Sequence, residues 1–245
     1  LGAALEEDGQ VIVNLGMVHR EGEWLPYWQR WVEWMRAQGW RRFGLYVWDQ
    51  GPGLPGDWNG RLAPAFEFVF HFNKSARQAA KIIPCMNAGH IRASRKVGLR
   101  KTDGGNNAWT QEGAPTQDFR ISDSVLRVQR SSAAIDHPAV FPVALPDLVL
   151  RSYSDHGDAV FEPFSGSGTT LVACERLSRR GRAIELAPEY VDLAVARFRL
   201  LFPDIPVTLE GDGRTYDQVA GERASPSKPA PKARKPRGQE KRDAA

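Results

Sequence analysis

Three apolar patterns follow one another in the first 72 residues, and each predicts a different element. Gln10–Leu15 is rich in β-branched residues and predicts a buried strand. From Trp24 to Gly39, large apolar residues recur at helical spacing, which predicts a helix with its aromatic face in the core rather than exposed for stacking. Arg42–Trp48 and Phe66–Phe72 flank a loop rich in glycine and proline, so they predict a hairpin with a long tip.

The middle of the chain loses this periodicity, and the last third regains it as a strict alternation. Residues 73–130 contain paired glycines, paired asparagines and scattered Ser and Thr, which predicts an insertion or small subdomain rather than more of the same sheet. Helix and strand patterns then alternate: helix Val143–Tyr153, strand Ala159–Phe164, helix Gly168–Arg179, strand Arg182–Leu186, helix Pro188–Phe202 and strand Val207–Glu210. Such alternation predicts βαβ units and a parallel, doubly wound α/β sheet.

Composition is typical of a globular enzyme. The 245 residues are 42% apolar and 25% charged, which permits a substantial core and excludes wholly disordered or fibrous chains. No apolar run approaches the roughly 20 residues that cross a bilayer, and the first residues lack a signal-peptide pattern. Cys85 and Cys174 lie outside any CxxC pair or histidine group, so we expect ordinary thiols and no metal. We expect a soluble, cytoplasmic protein with no membrane partner.

The formal net charge of +4 hides four segments of opposite sign. Residues 1–72 carry a net charge of −3 and residues 131–223 one of −5, whereas residues 73–130 carry +7 and residues 224–245 carry +5. This asymmetry is typical of a polyanion-binding surface attached to a separate enzymatic core. For the tail rich in Pro, Ala and Lys, a solvated disordered segment and a weak nucleic-acid contact are equally consistent.

Eight basic residues of the insert occur with no acidic residue between them. They are Lys74, Arg77, Lys81, Arg92, Arg95, Lys96, Arg100 and Lys101. Solvated loops with spare lysines would give a similar composition, but the acid-free run favours contacts with the phosphates or guanine edges of a nucleic acid. We therefore predict these eight residues as nucleic-acid-binding residues.

The strongest chemical signal is a glycine-rich turn between a strand and a helix. Residues 161–170 read FEPFSGSGTT, in which glycines let a ligand approach the main chain and face the positive end of the helix. The turn lacks the lysine of a P-loop and the third glycine of the dinucleotide fingerprint. Glu185 closes the next strand about 20 residues later, where an acid can bond both hydroxyls of a ribose. The pattern predicts a site for a nucleoside that bears a carboxylate instead of a pyrophosphate.

One known family shares this pattern, and the resemblance extends over most of the chain outside the insert and the tail. The S-adenosylmethionine-binding half of the amino-methylating DNA methyltransferases resembles residues 161–198, FEPFSGSGTTLVACERLSRRGRAIELAPEYVDLAVARF. The usual family pattern is DPF-x-GSGTT, then an Arg-Gly-Ile-Glu strand end, then Tyr and Ala-x-x-Arg. His137–Pro142 also resembles the segment before this half, and VIVNLG, GLYVWDQ and FEFVFHFNK resemble the strands that follow the catalytic motif.

The resemblance implies a fold and an order of segments. The fold is the Rossmann-like S-adenosylmethionine-dependent methyltransferase fold of the α/β class, with a mostly parallel sheet and an antiparallel hairpin. The order is similar to the β-type permutation of the family. It assigns 1–72 to the C-terminal part of a catalytic half, 73–130 to a basic target-recognition insert, 131–223 to the S-adenosylmethionine-binding half and 224–245 to a disordered basic tail.

The resemblance also implies which residues bind S-adenosylmethionine. They are Phe141, Glu162, Pro163, Phe164, Ser165, Gly166, Ser167, Gly168, Thr169, Thr170 and Glu185. Ser165 to Thr170 would hold the methionine end, Glu185 the ribose, and the two phenylalanines would form apolar walls. Asp212 either approaches the adenine amino group or lies in a surface turn, and both interpretations stay open.

The sequence departs from the family pattern at two points. Glu162 stands where the family usually has Asp, a one-methylene change that should be tolerated. The catalytic tetrapeptide Asp/Asn/Ser-Pro-Pro-Tyr/Trp is absent, so no catalytic residue is assigned, and we expect the tetrapeptide and the central catalytic strand upstream of Leu1. We also expect the strands at Val11–Leu15 and Ala159–Phe164 not to pair directly, because the catalytic strand belongs between them.

The implied function is site-specific DNA methylation, of the kind found in restriction–modification. The methyl group would pass from S-adenosylmethionine to adenine N6 or cytosine N4 of double-stranded DNA, after the base is rotated out of the duplex. A methyltransferase-like DNA-binding module without catalysis is the first alternative, and a methyltransferase acting on RNA or a small molecule is the second. The sequence does not distinguish between the two amines or reveal the recognition sequence.

Overall fold

The structure is a computed structural model that describes most of the chain. The described residues are 5–53, 55–56, 58–91, 99–100, 104, 106–107, 114–130 and 141–223, with backbone alone for residues 99, 100, 106 and 107. The chain divides into two compact units, Leu1–Phe198 and Arg199–Ala245. Within the described part, no helix is both long and apolar enough to cross a membrane.

Strands predominate up to residue 130 of the described chain, and helices predominate after residue 141. The strands are β1 Gln10–Leu15, β2 Val18–Arg20, β3 Glu23–Leu25, β4 Arg41–Asp49, β5 Phe66–Asn73, β6 Ile83–Pro84, β7 Leu99–Arg100, β8 Asn106–Asn107, β9 Phe119–Arg120, β10 Val125–Arg127, β11 Ala159–Glu162 and β12 Arg180–Ala183. The helices are α1 Trp28–Ala37, α2 Ala144–Tyr153, α3 Thr169–Arg176, α4 Pro188–Leu201 and α5 Tyr216–Arg223.

The main sheet contains four strands in the order β1-β5-β4-β10. β5 runs antiparallel to both β1 and β4, and β10 runs parallel to β4, so three of the four strands share one direction. The predicted hairpin is confirmed as β4 and β5. The insert was expected to stay outside this sheet, and that expectation is wrong for Val125–Arg127, which pairs with Val47–Asp49 at the sheet edge.

Helix α1 covers one face of the main sheet. Trp28 and Trp31 pack against Phe70, and Met35 is buried in the same cluster. Trp34 is 55% exposed, so the aromatic stripe is only partly core.

The helix predicted from Trp24 begins later than expected. It starts at Trp28, because Glu23–Leu25 forms β3 and pairs antiparallel with β2. The connecting residues Glu21 and Gly22 both have positive φ, a conformation that closes a tight two-residue hairpin. The segment before α1 is therefore held as a small hairpin.

Helix α2 packs against a second cluster of the same sheet. Leu145 of the helix joins Trp48, Val69 and Leu126 from three different strands. The Trp48 indole N–H also donates to the Val128 carbonyl at 2.7 Å. This cluster ties the last strand of the insert to the body of the first unit.

A separate parallel pair, β11 and β12, carries α3. The helix buries Val172, Ala173 and Cys174, and a third apolar cluster joins it to Leu150 of α2. Both strands differ from the predicted bounds: β11 ends two residues earlier, and β12 begins and ends earlier than Arg182–Leu186. In the described residues, β1 pairs with β5, and β11 pairs with β12. Strands β1 and β11 therefore do not pair with each other, as expected.

The second unit lacks the strand predicted at Val207–Glu210. Only Thr208 takes part in a ladder contact there, an isolated bridge to Thr215. The Leu209 N–H donates to the Arg214 carbonyl at 2.8 Å, and the Gly213 N–H donates back to the Leu209 carbonyl. A tight turn thus replaces an extended strand.

A buried hydrogen-bonded chain connects the main sheet to α2. Fully buried His71 lies between Gln10 and Tyr46, with Nε2 2.8 Å from the Gln10 Oε1 and Nδ1 2.9 Å from the Tyr46 hydroxyl. The Tyr46 hydroxyl lies 2.9 Å from that of Tyr153. Because the Gln10 oxygen accepts, Nε2 carries the proton and Nδ1 accepts from Tyr46, so the imidazole is neutral. Burial lowers the pKa of His71 to about 4.

Acid should therefore destabilise the first unit through His71. The neutral form contributes fully above the ordinary pKa of 6.5, and this contribution is lost as the pH falls towards 4. Between pH 7 and pH 5 we expect the free energy of unfolding to fall by about 2 kcal/mol from this group, as measured by urea denaturation. In His71→Gln this part of the pH dependence should disappear, and an unchanged slope would contradict the assignment.

Candidate nucleoside-binding site

The glycine turn follows β11 directly and leads into α3. Gly166 has φ +51° and Gly168 has φ +74°, a left-handed conformation that side chains rarely adopt. The Ser165 N–H donates to the Ile184 carbonyl at 3.0 Å, so β12 supports the turn from beside it. The turn therefore lies at the carboxyl ends of two parallel strands, where α/β sheets bind ligands.

Glu185 lies against this turn, as the spacing of the motif suggests. Its Oε2 accepts from the Gly166 N–H at 2.7 Å, and its Oε1 accepts from the Ala187 N–H at 2.9 Å. The carboxylate thus joins the end of β12 to the glycines. The structure brings together the two parts of the motif that lie 19 residues apart.

Glu162 holds the entrance and the exit of the turn. One carboxylate oxygen accepts from the Phe164 N–H at 3.0 Å, and the other accepts from the Thr170 hydroxyl at 3.1 Å. The extra methylene relative to Asp therefore still permits a carboxylate to link the strand end to the first turn of α3. This arrangement is a physical reason to expect that Glu can replace Asp at this position.

The predicted cofactor-binding side chains differ widely in exposure. Ser167 and Thr169 are buried, at 4% and 2%, whereas Phe164 is 86% exposed. Phe164 is therefore accessible to a ligand at the turn. Phe141 lies half-buried against the core cluster of Trp48, Val69 and Leu126.

Helix α4 packs closely on the turn, a contact that sequence reasoning missed. A Cβ placed on Gly168 would lie 2.9 Å from the Ala194 Cβ, and the Arg197 Nη1 lies 2.8 Å from the Thr169 hydroxyl. The three-residue spacing of Ala194 and Arg197 places them on one helix face. That spacing was visible in the motif, but it does not reveal which surface the face contacts.

Replacing Gly168 should be more costly than replacing a glycine that only needs positive φ. We expect Gly168→Ala to lower the free energy of unfolding by about 3 kcal/mol, because the left-handed backbone and the contact with Ala194 both resist a Cβ. Gly157 has φ +83° with open space around the Cβ position. Gly157→Ala is thus the matched control, with an expected loss of about 1 kcal/mol by chemical denaturation. Equal losses would show that the close packing has no energetic consequence.

The predicted nucleic-acid-binding residues fall into three groups. Lys74 lies 5.2 Å above the Trp40 ring, and Lys81 donates to the exposed Gln117 at 2.8 Å. Arg77 contacts three carboxylates, those of Asp8, Asp155 and Asp158. The remaining residues, Arg92, Arg95, Lys96 and Lys101, lie outside the described residues, as does the side chain of Arg100.

Asp212 belongs to the second unit and lies in its turn. The carboxylate accepts from the Arg214 backbone N–H at 2.9 Å and from the Arg214 Nε at 2.6 Å. These bonds hold the pKa of Asp212 below its ordinary value. The sequence allowed Asp212 either to approach the adenine amino group or to lie in a surface turn, and these contacts are those of a surface turn.

The family model for the N6/N4 DNA methylases matches residues 3–196. The glycine turn and Glu185 lie together at the ends of two parallel strands of an α/β domain, and the match extends over both sides of the insert. The chain therefore belongs to the N6/N4 DNA methylase family.

Curated relatives are methyltransferases from bacteria. The orphan methyltransferase M.BamHII of Bacillus amyloliquefaciens is 28% identical over 167 residues, which cover 65% of this chain and 63% of that protein. The type II methyltransferase M.Cfr9I of Citrobacter freundii is 29% identical over 165 residues, covering 67% of this chain and 47% of that protein. The chain thus spans about half to two thirds of the length of these relatives.

A solved structure shows the same fold. The cytosine-N4-specific PvuII DNA methyltransferase matches with a TM-score of 0.58 at 23% identity, covering 79% of this chain and 65% of that chain. This similarity confirms the α/β methyltransferase fold class expected from the sequence.

Proposed function

We propose that this protein is a DNA methyltransferase that transfers a methyl group from S-adenosylmethionine to adenine N6 or cytosine N4 of double-stranded DNA. One observation carries the proposal: the glycine turn and Glu185 lie in direct contact at the carboxyl ends of β11 and β12. Membership of the N6/N4 DNA methylase family supports the reaction and the substrate class.

The residues of the turn fit S-adenosylmethionine. Glycines with positive φ leave the main chain open to close approach, and the first turn of α3 presents the positive end of the helix to a carboxylate. Glu185 lies at the turn, where a carboxylate can accept from both ribose hydroxyls. When bound, S-adenosylmethionine supplies an electrophilic methyl group. We propose that Ser165 to Thr170 orient its methionine end, that Glu185 binds its ribose, and that Phe164 and Phe141 shield it from water.

The target would be bound by the basic insert. Lys74 and Lys81 lie on its described part, and we propose that they contact DNA phosphates with Arg92, Arg95, Lys96, Arg100 and Lys101. The three carboxylates around Arg77 favour a structural role for that residue within the first unit. No metal is required for a transfer of this kind.

Methyl transfer is tested directly with labelled cofactor. The chain and the protein encoded by its whole open reading frame are each incubated with S-adenosylmethionine labelled on the methyl group and duplex DNA. Label in adenine or cytosine after acid hydrolysis is the expected result for the protein of the whole open reading frame, and it identifies the amine. S-adenosylhomocysteine should suppress incorporation, and competition with RNA tests the alternative substrate. Binding of both ligands without transfer by the whole protein would overturn the proposal.

A second candidate is a DNA-binding module that retains the fold without catalysis. The 245 residues contain no Asp/Asn/Ser-Pro-Pro-Tyr/Trp tetrapeptide, which is the observation that favours it. A whole open reading frame without that tetrapeptide, combined with salt-dependent DNA binding and no methyl transfer, would establish this candidate.

A further inference from the structure

We propose that Arg197 is a positioning residue that fixes the glycine turn in the shape required by the amino-acid end of the cofactor. The inference rests on the proposed function. It identifies a role for a residue on α4, a helix whose side chains were assigned no part in the site.

Arg197 contacts the turn at three oxygens through one nitrogen. Its Nη1 lies 2.8 Å from the Thr169 hydroxyl, 3.2 Å from the Ser167 hydroxyl and 3.3 Å from the Ser167 carbonyl. The first of these is a short charge-assisted hydrogen bond, and the other two are longer. Ser167 and Thr169 lie on either side of Gly168, so one guanidinium spans the point where the turn becomes the helix.

The contact is buried on the side of the turn, and Arg197 itself is partly buried. Ser167 and Thr169 are almost fully buried, and burial together with the charge of Arg176 lowers the pKa of Arg197. A partly buried cation is costly unless polar atoms contact it, and the turn supplies three oxygens to Arg197. Arg197 and the turn therefore stabilise one another.

Packing next to Arg197 fixes the distance between α4 and the turn. Ala194, one helical turn earlier, lies so close to Gly168 that a Cβ there would meet its own Cβ at 2.9 Å. The turn is therefore restrained by a steric contact at Gly168 and by a polar contact on each side of it. Glu185 bonds Gly166 from the β12 side, so the same short segment is held from two elements.

These restraints act on one end of the ligand more than on the other. The turn from Ser165 to Thr170 is the part proposed to bind the methionine carboxylate, whereas the ribose is assigned to Glu185. Loss of Arg197 should therefore weaken the binding of ligands that carry the amino-acid group. It should leave the binding of a nucleoside that lacks this group unchanged. A residue that merely stabilises the fold would weaken both kinds of ligand equally.

The test compares two ligands by calorimetry on the whole chain. S-adenosylhomocysteine carries the amino-acid group, and 5′-methylthioadenosine lacks it. For Arg197→Met we expect affinity for the first to fall about tenfold and affinity for the second to stay within about twofold. Arg197→Lys should recover part of the loss, because its ammonium restores the positive charge on a side chain that reaches less far than that of arginine.

Arg176→Met is the matched control. It removes the neighbouring positive charge and leaves the three Arg197 contacts in place, so affinity for both ligands should be retained. If Arg197→Met does not fold, Arg197→Lys decides, and unchanged affinity for S-adenosylhomocysteine in that variant overturns the inference. Equal losses for both ligands also overturn it. Failure of the wild-type chain to bind either ligand would instead remove the proposed function itself.

Discussion

Glu185→Ala is expected to weaken binding of S-adenosylmethionine about 100-fold, because two charge-assisted hydrogen bonds to the ribose are lost together. The variant also removes the acceptor for the Gly166 N–H, which holds the turn against β12. Calorimetry with the whole chain measures the affinity. Glu185→Gln should lose less than Ala, since the amide oxygen can still accept one bond at the same place.

Glu189→Ala provides the control for the Glu185 variants. This exposed acid lies four residues after Glu185, in the first turn of α4. It carries the same charge as Glu185 and is close to it along the chain. Its loss should leave affinity within about twofold. If Glu185→Ala and Glu189→Ala bind S-adenosylmethionine equally well, Glu185 is a structural support of the turn and not a ribose ligand.

The long, regular patterns of the sequence predicted the main elements of the fold. Phe66–Phe72 alternates over a full strand, and it is β5 with one residue added. The glycine turn and Glu185 were also predicted together, because the strand–turn–helix–strand order brings both to one sheet edge. Both signals are local, and neither requires knowledge of which distant segment packs against them.

Short elements were missed because three residues carry no measurable periodicity. Val125–Arg127 lies in a polar insert, and only its pairing with β4 makes it a strand. The opposite error occurred at Val207–Glu210, where a strand was predicted from residues with high β propensity. This segment forms one isolated bridge and a tight turn instead. Strand identity depends on a neighbour as much as on propensity.

The contacts of α4 could not be predicted for a related reason. The sequence places Ala194 and Arg197 on one face of a helix. Tertiary packing decides which part of the protein this face contacts. The contact of Arg197 with Ser167 and Thr169 is visible only once the helix is docked on the turn. The part of the site that supports the ligand-binding turn was therefore less predictable than the turn itself.

Neutralising the basic insert should produce the largest loss of DNA affinity. The variant replaces with Gln the seven residues Lys74, Lys81, Arg92, Arg95, Lys96, Arg100 and Lys101. Arg77 is retained, because it contacts three carboxylates and its loss would disturb the fold. At 0.1 M salt we expect binding to duplex DNA to weaken at least about 1000-fold, because each lost phosphate contact ends the release of a counterion. Fluorescence anisotropy at several salt concentrations measures both the affinity and its salt slope.

The slope decides whether these residues act on the phosphate backbone. Seven lost contacts should reduce the dependence of log K on log salt by about 6, whereas a folding defect weakens binding without that change in slope. Arg20, Arg30, Arg36 and Arg61 are exposed basic residues outside the insert, and replacing all four should alter the slope by less than about 1. If both variants lose the same slope per charge, DNA responds to the overall charge of the protein and the insert is not a dedicated interface. Binding of competing RNA with a similar salt slope but a weaker affinity would follow from the same phosphate contacts. Backbone charge carries no sequence information, and only base contacts distinguish one site from another.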